Sequence, residues 1–237
     1  MSLCQPDSFF SCGSCCGSFN LKLNRKDLFE LFCERTEEFR QTADFSKIWT
    51  LSDFRKKREF IEEKIERNDP TTYNCPFLGF IDSGHRKIGC LVHPYASHNP
   101  RSQNVSFYGA SICQGYDCRN KEGKNSEIWE KFLCRLNLTF YEYSLFAGDP
   151  VFLPALERFF EDCGLDFSSA VQKHPELIQS LLFRKIESGK ASLIFITSFE
   201  AFWKKESEGN SFEEICTLLG IAEEEDLFNT LKSLFLK

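Results

Sequence analysis

Cys12-Gly13-Ser14-Cys15-Cys16 places three thiols within five residues, and its reading decides what kind of fold the first half of this chain has. Two cysteines separated by two residues point both sulfurs at one metal, because the turn between them aims backbone N–H groups inward. Zinc asks for four ligands at roughly 2.3 Å for each sulfur. The turn cannot close such a site alone, so further ligands have to come from distant sequence. Cys75, Cys90, Cys113 and Cys118 are the available donors.

Nine of the 12 cysteines fall in the first 118 residues of the 237-residue chain, at positions 4, 12, 15, 16, 33, 75, 90, 113 and 118. This divides the chain into a cysteine-cluster region, 1–118, and a second region, 119–237, with Arg119-Asn120-Lys121-Glu122-Gly123-Lys124-Asn125-Ser126 as the polar loop or linker between them. The opening MSLCQPDSFF has neither the basic stretch nor the apolar core of a secretory signal. No uncharged apolar run approaches the roughly 18 residues of a membrane helix. A cytoplasmic, reducing location is therefore expected, which leaves the thiols free for metal chemistry rather than structural bridges.

A net charge of −6 argues against a general polyanion binder. The basic run Arg55-Lys56-Lys57-Arg58 is followed by Glu59, Glu62, Glu63 and Glu66, so Arg55–Glu59 and Arg58–Glu62 pairs on a solvated helix face account for it better than nucleic acid. Neither nucleic acid nor membrane is expected as a partner. There is no phosphate-binding glycine loop and no catalytic triad pattern, so no catalytic residue is assigned.

Asn24 fits the N-cap of a helix to about Gln41, whose inward face carries Leu28, Leu31, Phe32, Arg35 and Phe39. A second helix is predicted from Ser52 to about Asn68, stopped by Asp69-Pro70. Residues 71–118 hold Pro76, Pro94 and Pro100, several glycines and no helical period, and so have few means of ordering themselves. Beyond them the pattern predicts helices over 126–146, 150–163, 175–188, 191–206, 211–219 and 222–236, with a short strand as an alternative within 192–199. Pro150 and Pro175 suit helix starts, Gly164 and Gly220 helix stops. The fold class expected is mainly α: an irregular, metal-stapled cysteine region packed with helices, plus a helical second region whose helices offer a surface to a protein partner. Most of the 26 phenylalanines belong in helical cores.

Cys12-Gly13-Ser14-Cys15-Cys16, the helix beginning Leu23-Asn24-Arg25-Lys26-Asp27, Cys75-Pro76-Phe77-Leu78, Cys90-Leu91-Val92-His93-Pro94 and a later cysteine, Cys113 or Cys118, occur in an order that resembles a family. It is the bacterial cysteine-cluster group named for a C-x2-C-x2-C-C motif and described as zinc- or iron-chelating. The resemblance spans about residues 9–118. Phe9 stands where the family's first cysteine falls, leaving Cys4 as a replacement, and His93-Pro94 stands where the family usually has Arg-Pro.

The ligand set expected is Cys12, Cys15, Cys16, Cys75, Cys90, Cys113 and Cys118, with Cys4 and His93 as open alternatives. Zinc is slightly favoured over iron or an iron–sulfur cluster; both accept thiolate ligands, and sequence alone does not separate them. Five or more thiols exceed what one tetrahedral ion uses, and adjacent Cys15 and Cys16 are awkward ligands for a single ion. A dithiol redox role for Cys12–Cys15 is disfavoured because no strand precedes it. Cys33, Cys134, Cys163 and Cys216 read as small buried hydrophobes, and His85 and His98 as solvent-facing loop residues. A structural zinc in a small peptide contributes on the order of 10–16 kcal/mol, against about 5–15 kcal/mol for a whole domain. The leading function is thus metal binding in a structural or chelating role. A metal-dependent or redox enzyme, or an interaction module with a structural metal, stands as the alternative.

Overall fold

Asn24 does cap the first helix: its Oδ1 accepts from the Asp27 amide at 2.9 Å, satisfying one orphan donor of the first turn. In this computed structural model, which describes residues 3–6, 10–115, 118, 120–187 and 210–236, helix α1 runs Arg25–Thr42 and buries Leu28, Leu31, Phe32, Arg35, Thr36 and Phe39. Helix α2, Ile48–Glu62, packs against it through Leu51 and Phe54. It ends six residues before the expected Asn68, because residues 63–68 turn back onto the chain after the cysteine turn. The Lys22 amide donates to Glu66 O at 2.8 Å and the Asn68 amide to Asn20 O at 2.9 Å.

The segment expected to lack order of its own has more than was anticipated. Strands β1, Leu78–Phe80, and β2, Ile88–Cys90, form an antiparallel hairpin with Leu78 opposite Cys90 and Phe80 opposite Ile88. Its turn is held by the Asp82 carboxylate, which accepts from the Lys87 amide at 2.7 Å. Short helices α3, Pro94–Ser97, and α4, Gly109–Gly115, follow, with a 3-10 turn at Ser102–Val105 between them. Hydrogen bonds and apolar packing run through this region, and among the described residues it is not shown as a metal-stapled segment.

The second half is helical, as expected: α5 Ser126–Arg135, α6 Phe140–Ala147, α7 Phe152–Asp162, α8 Phe167–Lys173, α9 Pro175–Glu187, α10 Ser211–Leu219 and α11 Asp226–Phe235. The single helix expected over 126–146 is two, broken at Leu136–Leu138. The α6 start has a reciprocal capping box, Thr139 bonding the Glu142 amide while Glu142 bonds the Thr139 amide. Helix α8 was not foreseen; Asp166 caps it by accepting from the Ser169 amide at 3.0 Å. The helix expected over 191–206, and the alternative strand within 192–199, lie outside the described residues. Among the described residues no helix is long and apolar enough to cross a membrane.

Helix α7 is the hub. Phe152, Leu153, Ala155, Leu156, Phe159 and Phe160 are all buried, against α6, α8, α10 and α11. Each of the larger side chains contributes about 1.5–3 kcal/mol by leaving water. Packing also crosses the 118/119 division. Leu3, Phe10 and Phe19 join this core, the buried Tyr143 hydroxyl donates to Leu3 O at 2.7 Å, and Phe140 packs with Leu28, Phe32 and Phe80 of the first half. The polar stretch before α5 is pinned rather than loose. Asn120 is buried and its Nδ2 donates to Ala147 O at 3.0 Å and Asp149 O at 2.7 Å.

Candidate metal centre

The cysteine turn is built from two successive 3-10 turns, Ser14–Cys16 and Ser18–Asn20, hinged at Gly17. Ser14 Oγ donates to Ser144 O at 3.0 Å and the Gly13 amide to Ser144 Oγ at 3.2 Å, fastening one side of the turn to α6. The other side is fastened to the Cys75 segment. The Cys75 amide donates to Cys16 O at 3.0 Å, and Asn74 Nδ2 donates to Gly17 O. Asn20 completes the join: its Nδ2 donates to Asp69 O at 2.9 Å, Thr72 O at 3.1 Å and Asn74 Oδ1 at 3.0 Å.

Gly17 sits at φ +82°, and a Cβ there would lie 2.6 Å from Tyr73 O and 2.7 Å from Asn74 Nδ2. Gly17→Ala is therefore expected to cost about 2–4 kcal/mol, from left-handed strain plus displacement of the Asn74 clamp. The fall in the urea midpoint measures it, and an unchanged midpoint contradicts the role given to this hinge.

All seven expected ligands fall in one neighbourhood, and Cys4 joins them. Cys4, Cys12, Cys15 and Cys118 are mutually coupled in every pairing, each close enough for one thiolate to disturb another. A second group takes Cys16 with Cys75 and Cys90, Cys75 with Cys90 and Cys113, and Cys90 with Cys113. The two groups meet at Cys15, whose side chain hydrogen-bonds that of Cys16 and which also lies close enough to disturb Cys90.

The electrostatics follow from packing thiols against one another and away from water. Burial, then the charge of Cys15, pushes the Cys12 thiol up to about 12. Burial, then Cys90, pushes Cys75 up to about 12, and burial pushes Cys90 up to about 11. The Cys4 and Cys118 thiols share a hydrogen bond that raises Cys4 and brings Cys118 down to about 6. Polar neighbours touch several sulfurs: Gln103 Nε2 donates to Cys90 Sγ at 3.7 Å, Ser106 Oγ lies 3.6 Å from Cys113 Sγ, and the Cys12 thiol is 3.4 Å from Ser14 Oγ. Tyr73 and Tyr108, 5.3 Å apart edge to face, stand beside the second group.

Among the described residues, no three His, Cys, Asp or Glu side chains stand ready-made as a metal ligand set. The donor chemistry fits a soft cation, since the groups gathered are thiols, but sulfurs bonded to one another have to turn to face an ion. Phe9 lies outside the described residues. His93 accepts from the Tyr95 amide through Nδ1 at 3.3 Å and caps α3. His85 corrects the expectation of a solvent-facing loop residue: it is half-buried against Phe80 and 3.8 Å from Cys33 Sγ. His98 is exposed. Cys134, Cys163 and Cys216 pack partly buried against the helical core.

Arg35 is the supporting residue that sequence reading placed on an apolar face without a task. Its Nη1 donates to Cys75 O and Leu78 O, both at 3.1 Å, while Nε donates to Glu62 Oε1 at 2.9 Å. Arg58 Nε donates to the same Glu62 oxygen at 2.8 Å, so the expected Arg58–Glu62 pair forms, but in the interior rather than on a solvated face. An arginine at a helix position otherwise filled by Leu and Phe is the signal that pointed to such a network. Gln103, Ser106 and Asn74 carried no comparable signal. Compared with family models, curated proteins and solved structures, the chain matches none.

Proposed function

We propose that this chain is a metal-binding protein with two neighbouring thiolate sites, one drawn from Cys4, Cys12, Cys15 and Cys118, the other from Cys16, Cys75, Cys90 and Cys113. The observation that supports this reading is the convergence of eight thiols from separated stretches of chain into one neighbourhood, where each lies close enough to others for its charge to disturb them. Four thiolates are what a structural zinc or an iron–sulfur cluster takes. Buried thiolates repel one another, and a cation relieves that repulsion while deprotonating its ligands. The resemblance to the bacterial cysteine-cluster group belongs with this proposal, as does the preference for zinc. The metal when bound would supply a structural or chelating link between the cysteine turn and the loops carrying Cys75, Cys90, Cys113 and Cys118.

Elemental analysis of anaerobically purified, chelator-free protein tests the proposal. The expected content is about two zinc ions per chain in colourless protein. A visible sulfur-to-iron band with matching iron and sulfide would assign a cluster instead. Cys75→Ser and Cys118→Ser are each expected to release about half the metal, whereas a single shared cluster would be lost whole from either. Cys134→Ser should change nothing. Less than about a tenth of an equivalent of any transition metal in the parent protein defeats the proposal.

A further inference from the structure

A cavity of about 580 Å³ opens between the start of α1, the hairpin turn and the Leu136–Thr139 break. It lies within the size range of small-molecule sites, roughly 300–1,000 Å³. Its floor is aromatic and aliphatic, built from Phe10, Phe29, Leu138 and Phe140. Its rim carries Arg25 and Lys26 from α1, and His85 and Arg86 from the hairpin turn. Among the described residues no acidic side chain lines it, in a protein whose net charge is −6.

Several features fix this shape. Phe29 packs on Phe80 at 5.2 Å and on Phe140 at 6.2 Å between ring centroids, so the floor bridges α1, the hairpin and α6. His85 lies over Phe80 at 5.1 Å and is held at a left-handed φ of 51°. Arg25 is anchored by Nη1 to Glu142 Oε1 at 2.9 Å, while Lys26 pairs more loosely with Glu30 at 3.7 Å. Both ion pairs involve a half or more exposed cation, and such pairs hold their partners only weakly. An incoming carboxylate can therefore take over a rim cation at little cost.

We infer that this cavity binds a small organic carboxylate with an aromatic body, the ring on the phenylalanine floor and the carboxylate at the Arg25 and Lys26 rim. An aromatic floor favours a ring by stacking or edge contact, and a cationic rim selects the anion over its neutral analogue. A charge-assisted bond beside an apolar wall favours the acid over its neutral analogue at least about tenfold in affinity. None of the eight gathered cysteines lines the site, and it does not depend on a metal.

Titration of the full-length protein with 2-naphthoate, followed by its own fluorescence and by calorimetry, tests this against neutral 2-naphthamide. The expected result is saturable one-to-one binding of naphthoate, at least about tenfold tighter than the amide. Lys26→Glu should weaken naphthoate about tenfold or more while leaving the unfolding midpoint nearly unchanged, because this side chain lies at the surface. Phe29→Ala should weaken both compounds together. Equal affinity for acid and amide, absence of saturable binding up to millimolar naphthoate, or indifference to the charge reversal each overturns the inference.

Discussion

Replacing Arg35 with methionine is expected to lower the unfolding free energy by about 3–5 kcal/mol, the usual cost of breaking a buried ion pair from one side. The side chain is almost fully buried, and so is Glu62. Its fork does three things at once: it neutralises Glu62, ties α1 to α2, and closes the carbonyls of Cys75 and Leu78, which no longer face water. Methionine fills much of the volume but leaves those two carbonyls without this donor. Arg35→Lys should recover little, since an ammonium lacks the planar fork that serves carboxylate and carbonyls together. Urea unfolding of the two variants measures the effect. A loss below about 1 kcal/mol for the methionine variant would mean that Arg58 alone satisfies Glu62.

The same network sets a pH dependence. Burial by itself raises the Glu62 carboxyl, but Arg35 and Arg58 outweigh it and hold the group below the usual carboxylate range. A carboxylate with a depressed folded pKa contributes stability that is complete above its unfolded value, about 4.3 for glutamate. That contribution is lost as pH falls through the folded value. The parent protein should therefore lose stability below about pH 4 more steeply than Glu62→Gln, which has no such proton to take up.

Local signals in the sequence were legible where one residue decides one backbone event. Asn24 starts α1, Pro175 starts α9, and Gly220, at φ +60°, stops α10. The hairpin was illegible because three-residue strands offer no alternation to read, and Gly79 opposite Gly89 removes the usual strand-forming side chains. The break before α6 had a readable sign in Thr139-x-x-Glu142, masked by the apolar residues on either side of it. The thiols present the opposite case. Their types and order suggested convergence, but the join that holds the cysteine turn against the Cys75 segment runs through Gly17 and Asn74, which sit 57 residues apart. Such long-range joins leave no periodic trace.

A second buried pair gives the other large effect. Asp149 and Lys185 are both all but inaccessible and meet at 2.5 Å, 36 positions apart. Asp149 also opens α7, its Oδ1 accepting from the Val151 amide at 2.9 Å and the Phe152 amide at 3.0 Å. Asp149→Ala removes both the ion partner and the cap. The ion pair accounts for about 3–5 kcal/mol and the cap for about 1 kcal/mol, so a loss of about 4–6 kcal/mol is expected by urea unfolding. Asp149→Asn keeps a capping oxygen and should lose less. Adding Lys185→Met to Asp149→Asn should restore part of the loss, because methionine removes the buried ammonium that the Asp149 carboxylate faced. The consequence reaches the thiols through Gly148, which packs directly under Ser14 of the cysteine turn. Loosening this corner should therefore speed the reaction of Cys12 and Cys15 with a thiol reagent in Asp149→Ala, while Cys163, on the far end of α7, reacts as before. Equal acceleration at all three would assign the effect to global unfolding and remove Asp149 from the support of the cysteine turn.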